Sequence, residues 1–227
     1  ATLGFCVEEN TKRAMLDTRR LLNNVSVERV YVELKKMISG AFSYSAFSEF
    51  SDIILDTLPE LSGLALPEKP LYDSADYTSR LIALFYLNSD SPKEAFECAM
   101  KRLHTDSHIR DLGISVIPLI ESADTASDRG LTHILREIGE ECAVLLVGVK
   151  VLLGMSDCDA PKRLVNLLDS GAVYKLSELR IDGKTLISLG AKGRQIGDIL
   201  NLLLIEVIDG KTENTKDALF ARAKSLI

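Results

Sequence analysis

The sequence predicts an all-α protein built as an elongated multi-helix array. Apolar residues recur at steps of three and four along most of the chain, and strand signals are scarce, with no hairpin dipeptide and no sustained alternation. Prolines and glycines fall mainly at the ends of the periodic stretches, where helices are expected to start or stop. With 227 residues, 46% hydrophobic and 26% charged, the chain has the composition of a folded protein and not of a disordered one.

The elements follow in order. In "SVERVYVELKKMI" the residues Val27, Val30, Tyr31, Leu34 and Ile38 make one apolar stripe, with Ser26 as the expected N-cap and Gly40 as the stop. Ser45 to Leu58 reads as one helix stopped at Pro59. "SGLALPEKP" at 62–70 reads as a linker, and Ser79 to Leu87 as a buried helix. Ser91-Pro92-Lys93-Glu94 has the form of a capping box opening a helix to about Leu103. Asp106 to Ile120 and Leu131 to Leu153 are the next helices, the second a long one expected at the centre of the core. Pro161 opens a short helix to Leu168. Asp182 is the expected cap of another, "IGDILNLLLIEVIDG" gives a long helix ended by Gly210, and Asn214 is expected to cap the last. Joints are expected near 60–70 and near 170.

Net charge is −6, which argues against general affinity for nucleic acid, but the charge is uneven. Residues 44–128 carry 15 acidic and 6 basic side chains, whereas 175–227 carry 9 basic and 7 acidic, so a local basic site can exist on an acidic chain. Cys6, Cys98, Cys142 and Cys158 form no CxxC pair and read as free thiols of a cytoplasmic protein. The apolar run from Cys142 to Leu153 contains Lys150 and is too short to span a bilayer. No signal peptide is seen. "ATLGF" opens the chain without an initiator methionine and reads as the middle of something longer.

Catalytic motifs are hard to find. His104 and His108 have the i, i+4 spacing of metal ligands, but "HTDSHIRD" lacks the glutamate of HExxH and straddles a helix start, so capping and surface roles are expected. His133 is isolated. Asp157-Cys158-Asp159 is a DxD, the pattern that holds metal ions in nucleotidyl transfer, yet it sits between two helices, where Asp159 reads as a cap. No phosphate-loop or nucleophile-elbow pattern occurs. Catalytic and metal-binding residues are therefore expected to be none.

The stretch "LGAKGRQIGDIL", 189–200, stands out. Gly190, Gly193 and Gly197 interrupt a helical pattern, and Lys192 and Arg194 flank the middle glycine. Unpaired N–H groups at a helix start, together with the helix dipole, attract anions. Gly193 would let a ligand come close and Gly197 would let helices pack closely. The natural ligand is a nucleic-acid phosphate contacted without reading the base. A plain helical hairpin with solvated cations accounts for the same residues.

Residues 179–227 resemble the C-terminal tail of bacterial CCA-adding tRNA nucleotidyltransferases and related poly(A) polymerases. The matching features are Asp182-Gly183, Leu189-Gly190, Lys192-Gly193, Ile196-Gly197, Asp209-Gly210 and Asn214. "TLGF" at 2–5 and "VSVERVYVELKKMI" at 25–38 resemble that family's neck. The resemblance implies neck helices over 1–62, a helical body over 63–170, and over 171–227 a tail whose glycine-containing turn contacts phosphates. It implies that the metal-binding and nucleotide-selecting residues lie in a catalytic head upstream, absent from this chain. The chain alone would then be inactive and hold no cofactor, while the parent would use Mg and ATP or CTP through that head. The partner implied is tRNA, gripped by its acceptor and T-arm backbone. Lys192, Gly193 and Arg194 are the expected contacts, with Lys184 and Gln195 beside them. A helical protein–protein scaffold or dimerisation module without RNA binding is the competing reading.

Overall fold

A computed structural model describes residues 1–227 and contains α-helices and short 3₁₀ turns with no strand. By packing, the chain forms two compact units. The first comprises Ala1–Ala123 and Val144–Cys158, and the second comprises Asp124–Ala143 and Asp159–Ile227. This is a division by compactness, whereas 1–62, 63–170 and 171–227 are parts assigned by resemblance.

In the first unit the helices are α1 Glu9–Thr18, α2 Val27–Ser39, α3 Ser43–Glu49, α4 Ser51–Thr57, α5 Lys69–Ser74, α6 Tyr77–Leu87, α7 Pro92–Arg102 and α8 Ser107–Val116. The stripe of α2 behaves as its spacing predicts, with Leu34 and Ile38 buried. α6 is the most enclosed element, buried from Ser79 through Phe85 and capped by Asp76, whose carboxylate accepts the N–H groups of Thr78 and Ser79. The segment after Pro59 is tied down. Asn88 accepts from the Ala65 N–H at 2.6 Å and donates to the Ala65 carbonyl at 2.9 Å, closing a two-point bond of the kind a strand partner would make.

α9, Asp128–Leu152, contributes its first part to the second unit and its last part to the first. The second unit continues with α10 Ala160–Asp169, α11 Gly183–Ser188, α12 Arg194–Ile208 and α13 Lys216–Lys224. Its C-terminal part is organised around Leu186, Leu203 and Leu219, all fully buried, with Ile181, Ala191, Ile199 and Leu204 packed around them. Burial of each such leucine stabilises by about 1.5–3 kcal/mol.

Several expectations need correction. Ser45 to Leu58 is two helices, because Phe50 at φ −116° and ψ 33° leaves helical geometry. Periodicity does not show such a break, since bonding resumes at once: the Phe50 carbonyl accepts from Ile53 and Ile54. α9 is not continuous. Gly139 sits at φ 76° and ψ 174°, a region open essentially to glycine alone, and divides it. The Ser91 side chain makes no cap bond, so the capping box does not form, although Pro92 does open α7. Asp159 stands at the start of α10 without a side-chain bond to it. Thr215, not Asn214, caps α13, accepting from the Ala218 N–H. Asn214 instead accepts from the Arg180 N–H at 2.9 Å and donates to the Glu178 carbonyl at 3.0 Å, tying the chain before α11 to the chain before α13.

Candidate nucleic-acid interface

The candidate site is the turn between α11 and α12. Asp182 starts α11 as predicted, its carboxylate accepting from both the Thr185 N–H at 2.9 Å and the Thr185 hydroxyl at 2.7 Å. Those bonds hold the Asp182 carboxyl below its ordinary value, with a smaller contribution from Lys184. After Ser188 the chain turns through Gly190. The Ala191 N–H donates back to the Leu186 carbonyl, and Ala191 itself is buried in the core. One side of the turn is therefore anchored and the other is left outside.

Lys192, Gly193, Arg194 and Gln195 occupy that outer side, all four exposed. Gly193 is the N-cap of α12 at φ 53° and ψ −128°, a backbone state that a side chain resists. No side chain caps the helix and no acidic residue stands in its first turn. Gln195 folds back, its amide oxygen accepting the Lys192 N–H at 3.4 Å. The hydrogen bonds of the turn use neither the Gly193 nor the Arg194 N–H. The Arg194 side chain is 95% exposed and comes only to 4.0 Å of Asp198. Lys184, the second residue of α11, is exposed as well.

Two cations at a helix N-terminus oppose the helix dipole, whose positive end is there. Nothing in the turn relieves that opposition. An anion at this point would gain from the dipole, from the open N–H groups and from the cations together. No cluster of three His, Cys, Asp or Glu side chains accompanies the turn.

The glycines divide their roles differently from expectation. Gly197 faces open space, with nothing within 4 Å of the place a Cβ would occupy, so it serves no helix packing. Gly183 does that, because a Cβ there would stand 3.3 Å from the Ile196 Cγ2 atom of α12. Helical periodicity marked Gly197 as a break but could not tell whether it touches a neighbour.

The other singled-out residues are placed as follows. His104 has φ 51°, and its Nδ1 lies 2.9 Å from Glu28. Asp106 caps α8 by accepting from the His108 N–H. His133 Nε2 lies 3.0 Å from Asp209 Oδ1, a connection with no local signal because 76 residues separate the two. None of Cys6, Cys98, Cys142 and Cys158 is in a disulfide. No helix is long and apolar enough to cross a membrane.

Comparison with known proteins shows the family of the chain. Residues 75–223, about two thirds of the chain, match the family described as tRNA nucleotidyltransferase domain 2. The chain belongs to this family. The match runs through the middle of the chain, where the sequence offered no motif, and takes in the whole α11–α12 turn. Residues 4–62 match a second family, described as the probable RNA- and SrmB-binding site of polymerase A. Among relatives, the CCA-adding enzyme of Lactobacillus helveticus is 29% identical over 223 residues, covering 96% of this chain and 55% of the relative. The CCA-adding enzyme of Lactococcus lactis subsp. cremoris is 25% identical over 238 residues, covering 100% of this chain and 56% of the relative. The crystal structure of the Bacillus stearothermophilus CCA-adding enzyme in complex with CTP aligns with a TM-score of 0.71 over 99% of this chain and 58% of that one, at 20% identity, and so shares the fold. The chain spans somewhat more than half the length of these relatives.

Proposed function

We propose that this chain is the RNA-gripping helical portion of a tRNA nucleotidyltransferase of the CCA-adding or poly(A) polymerase kind. It holds the acceptor and T-arm backbone of tRNA while a catalytic head outside these 227 residues adds nucleotides. The observation that carries the reading is the uncapped, glycine-led start of α12, where Lys192 and Arg194 stand exposed at the positive end of a helix. Lys184, Gly193 and Gln195 complete the contact. An A-form RNA helix suits such a site, since it is recognised by shape and phosphate more than by sequence. Magnesium and nucleotide are assigned to the head.

The test is binding of the chain to a labelled tRNA lacking its CCA end, titrated across salt beside a Lys192→Ala/Arg194→Ala variant. Wild type is expected to bind with a log–log salt slope of about −2, and the variant to lose both affinity and slope. Equal binding by the two proteins would remove the turn from the interface.

One observation favours the scaffold alternative. An apolar groove of about 460 Å³ opens in the first unit, lined by Leu22, Val25, Val30, Leu34, Met37 and Ile53 among others. A chain that dimerises through this groove and ignores tRNA at low salt would follow that reading.

A further inference from the structure

Gly197 lacks a structural reason. It lies inside α12, where glycine is less stable than alanine, and no neighbour comes near enough to forbid a side chain. Its surroundings are nonetheless organised. Asn201, one turn on, donates through Nδ2 to the Gly197 carbonyl at 2.9 Å. The Asn201 amide oxygen in turn accepts from Arg136 Nη2 at 3.4 Å. Arg136 belongs to the first part of α9, within the same unit, and no carboxylate lies within ion-pair distance of it. Arg194 stands one turn before Gly197. The bare glycine is thus a notch on an exposed helix flank, with an arginine before it and an asparagine-held arginine beside it. Asp198 is the acidic group on this stretch, exposed and 4.0 Å from Arg194.

We infer that this notch is a second position for an RNA backbone, next to the turn at Gly193. The absent side chain lets the sugar–phosphate chain lie against α12, and Arg136 meets a phosphate there with Asn201 holding it in place. Four residues of helix separate Gly193 from Gly197, about 6 Å along the axis. That is of the order of the step between successive phosphates on one strand, so one strand can run along α12 from the first position to the second. The inference rests on the RNA-gripping reading of the turn and extends it to a side chain distant in sequence.

The experiment uses the full chain and tRNA lacking its CCA end, comparing wild type with Gly197→Ala, Gly197→Gln, Arg136→Gln and the Lys192→Ala/Arg194→Ala variant. Gly197→Ala is expected to raise the thermal midpoint by about 2 °C while weakening binding by about threefold. Gly197→Gln, a larger obstruction, should weaken it about tenfold. Arg136→Gln should weaken it about threefold and make the salt slope shallower by roughly one ion. A purely structural glycine would not give higher stability with lower affinity. If the turn variant loses binding while Gly197→Ala, Gly197→Gln and Arg136→Gln bind as wild type does, the second position is wrong and the turn reading stands. If wild type fails to bind, or the turn variant binds equally well, both fall together.

Discussion

The two ends of α12 carry the same kinds of charge and treat them in opposite ways. At the C-terminal end every group is engaged. Arg222 of α13 grips Glu206 through Nη2 at 2.6 Å and Nε at 2.9 Å, Thr212 adds a bond to Glu206 at 3.1 Å, and Asp209 meets His133 at 3.0 Å and Lys211 at 2.8 Å. At the N-terminal end Arg194 and Asp198 stand 4.0 Å apart with side chains 95% and 69% exposed, and no side chain caps the helix. Both ends place a charge of the wrong sign for the dipole, an aspartate at the negative end and cations at the positive end. Only the C-terminal end supplies partners. Charges that hold a fold together are partnered within it, and the unpartnered end is where a ligand has something to add.

The first way to break this comparison is to remove the core that both ends share. Leu203 is fully buried on α12 against the α11 and α13 helices' core. Leu203→Ala should cost about 2–5 kcal/mol in denaturant unfolding. It should loosen the paired end and abolish tRNA binding at the open end together. Loss of binding without loss of stability would mean that Leu203 acts on RNA in some way other than through the fold.

A second test uses acid to open the closed end alone. The Lys211 ammonium, and after it His133, hold the Asp209 carboxyl down to about 2. A depressed carboxyl contributes stability that is complete above the ordinary carboxylate range near pH 4 and is lost as pH falls through the folded value. The stability gap between wild type and Asp209→Asn should therefore be widest above about pH 5 and close progressively toward pH 2. Thermal unfolding at pH 6, 4 and 3 reads this. A gap that stays constant over that range would show that the aspartate side chain acts there without its charge.

What could be read from the sequence divides along the same line. Some local features were legible. The Asp182 cap, the stop at Gly210 and the break in the helical pattern at Gly193 each depend on a few neighbouring residues, and the structure has them. The family was legible from the spaced residue pairs of 179–227 taken together with the stretches at 2–5 and 25–38. Long-range partnerships were not. Glu206 with Arg222, His133 with Asp209 and Asn214 with Arg180 join residues that chain spacing does not relate. Asn214 shows the cost of local reasoning: one residue from a helix start it reads as a cap, yet its side chain serves a segment 34 residues away. Gly139 was invisible for another reason, since a glycine amid apolar periodicity looks tolerated until its φ is known.

The smallest expected effect sharpens the open end. Asp198 is the ion partner of Arg194, and at 4.0 Å with both side chains exposed the pair is worth little to the fold. It still places a negative charge one turn from the proposed phosphate. Asp198→Asn should leave the thermal midpoint unchanged and strengthen tRNA binding by about two- to threefold at low salt, since an unpaired Arg194 meets phosphate without first leaving a carboxylate. The gain should fade as salt rises, because screening weakens the carboxylate's repulsion of RNA along with every other charge effect at the surface. The same substitution at the other end, Asp209→Asn, should lower stability and leave the salt slope of tRNA binding untouched. If instead the two variants behave alike, the distinction between a partnered and an unpartnered end of α12 has no functional content.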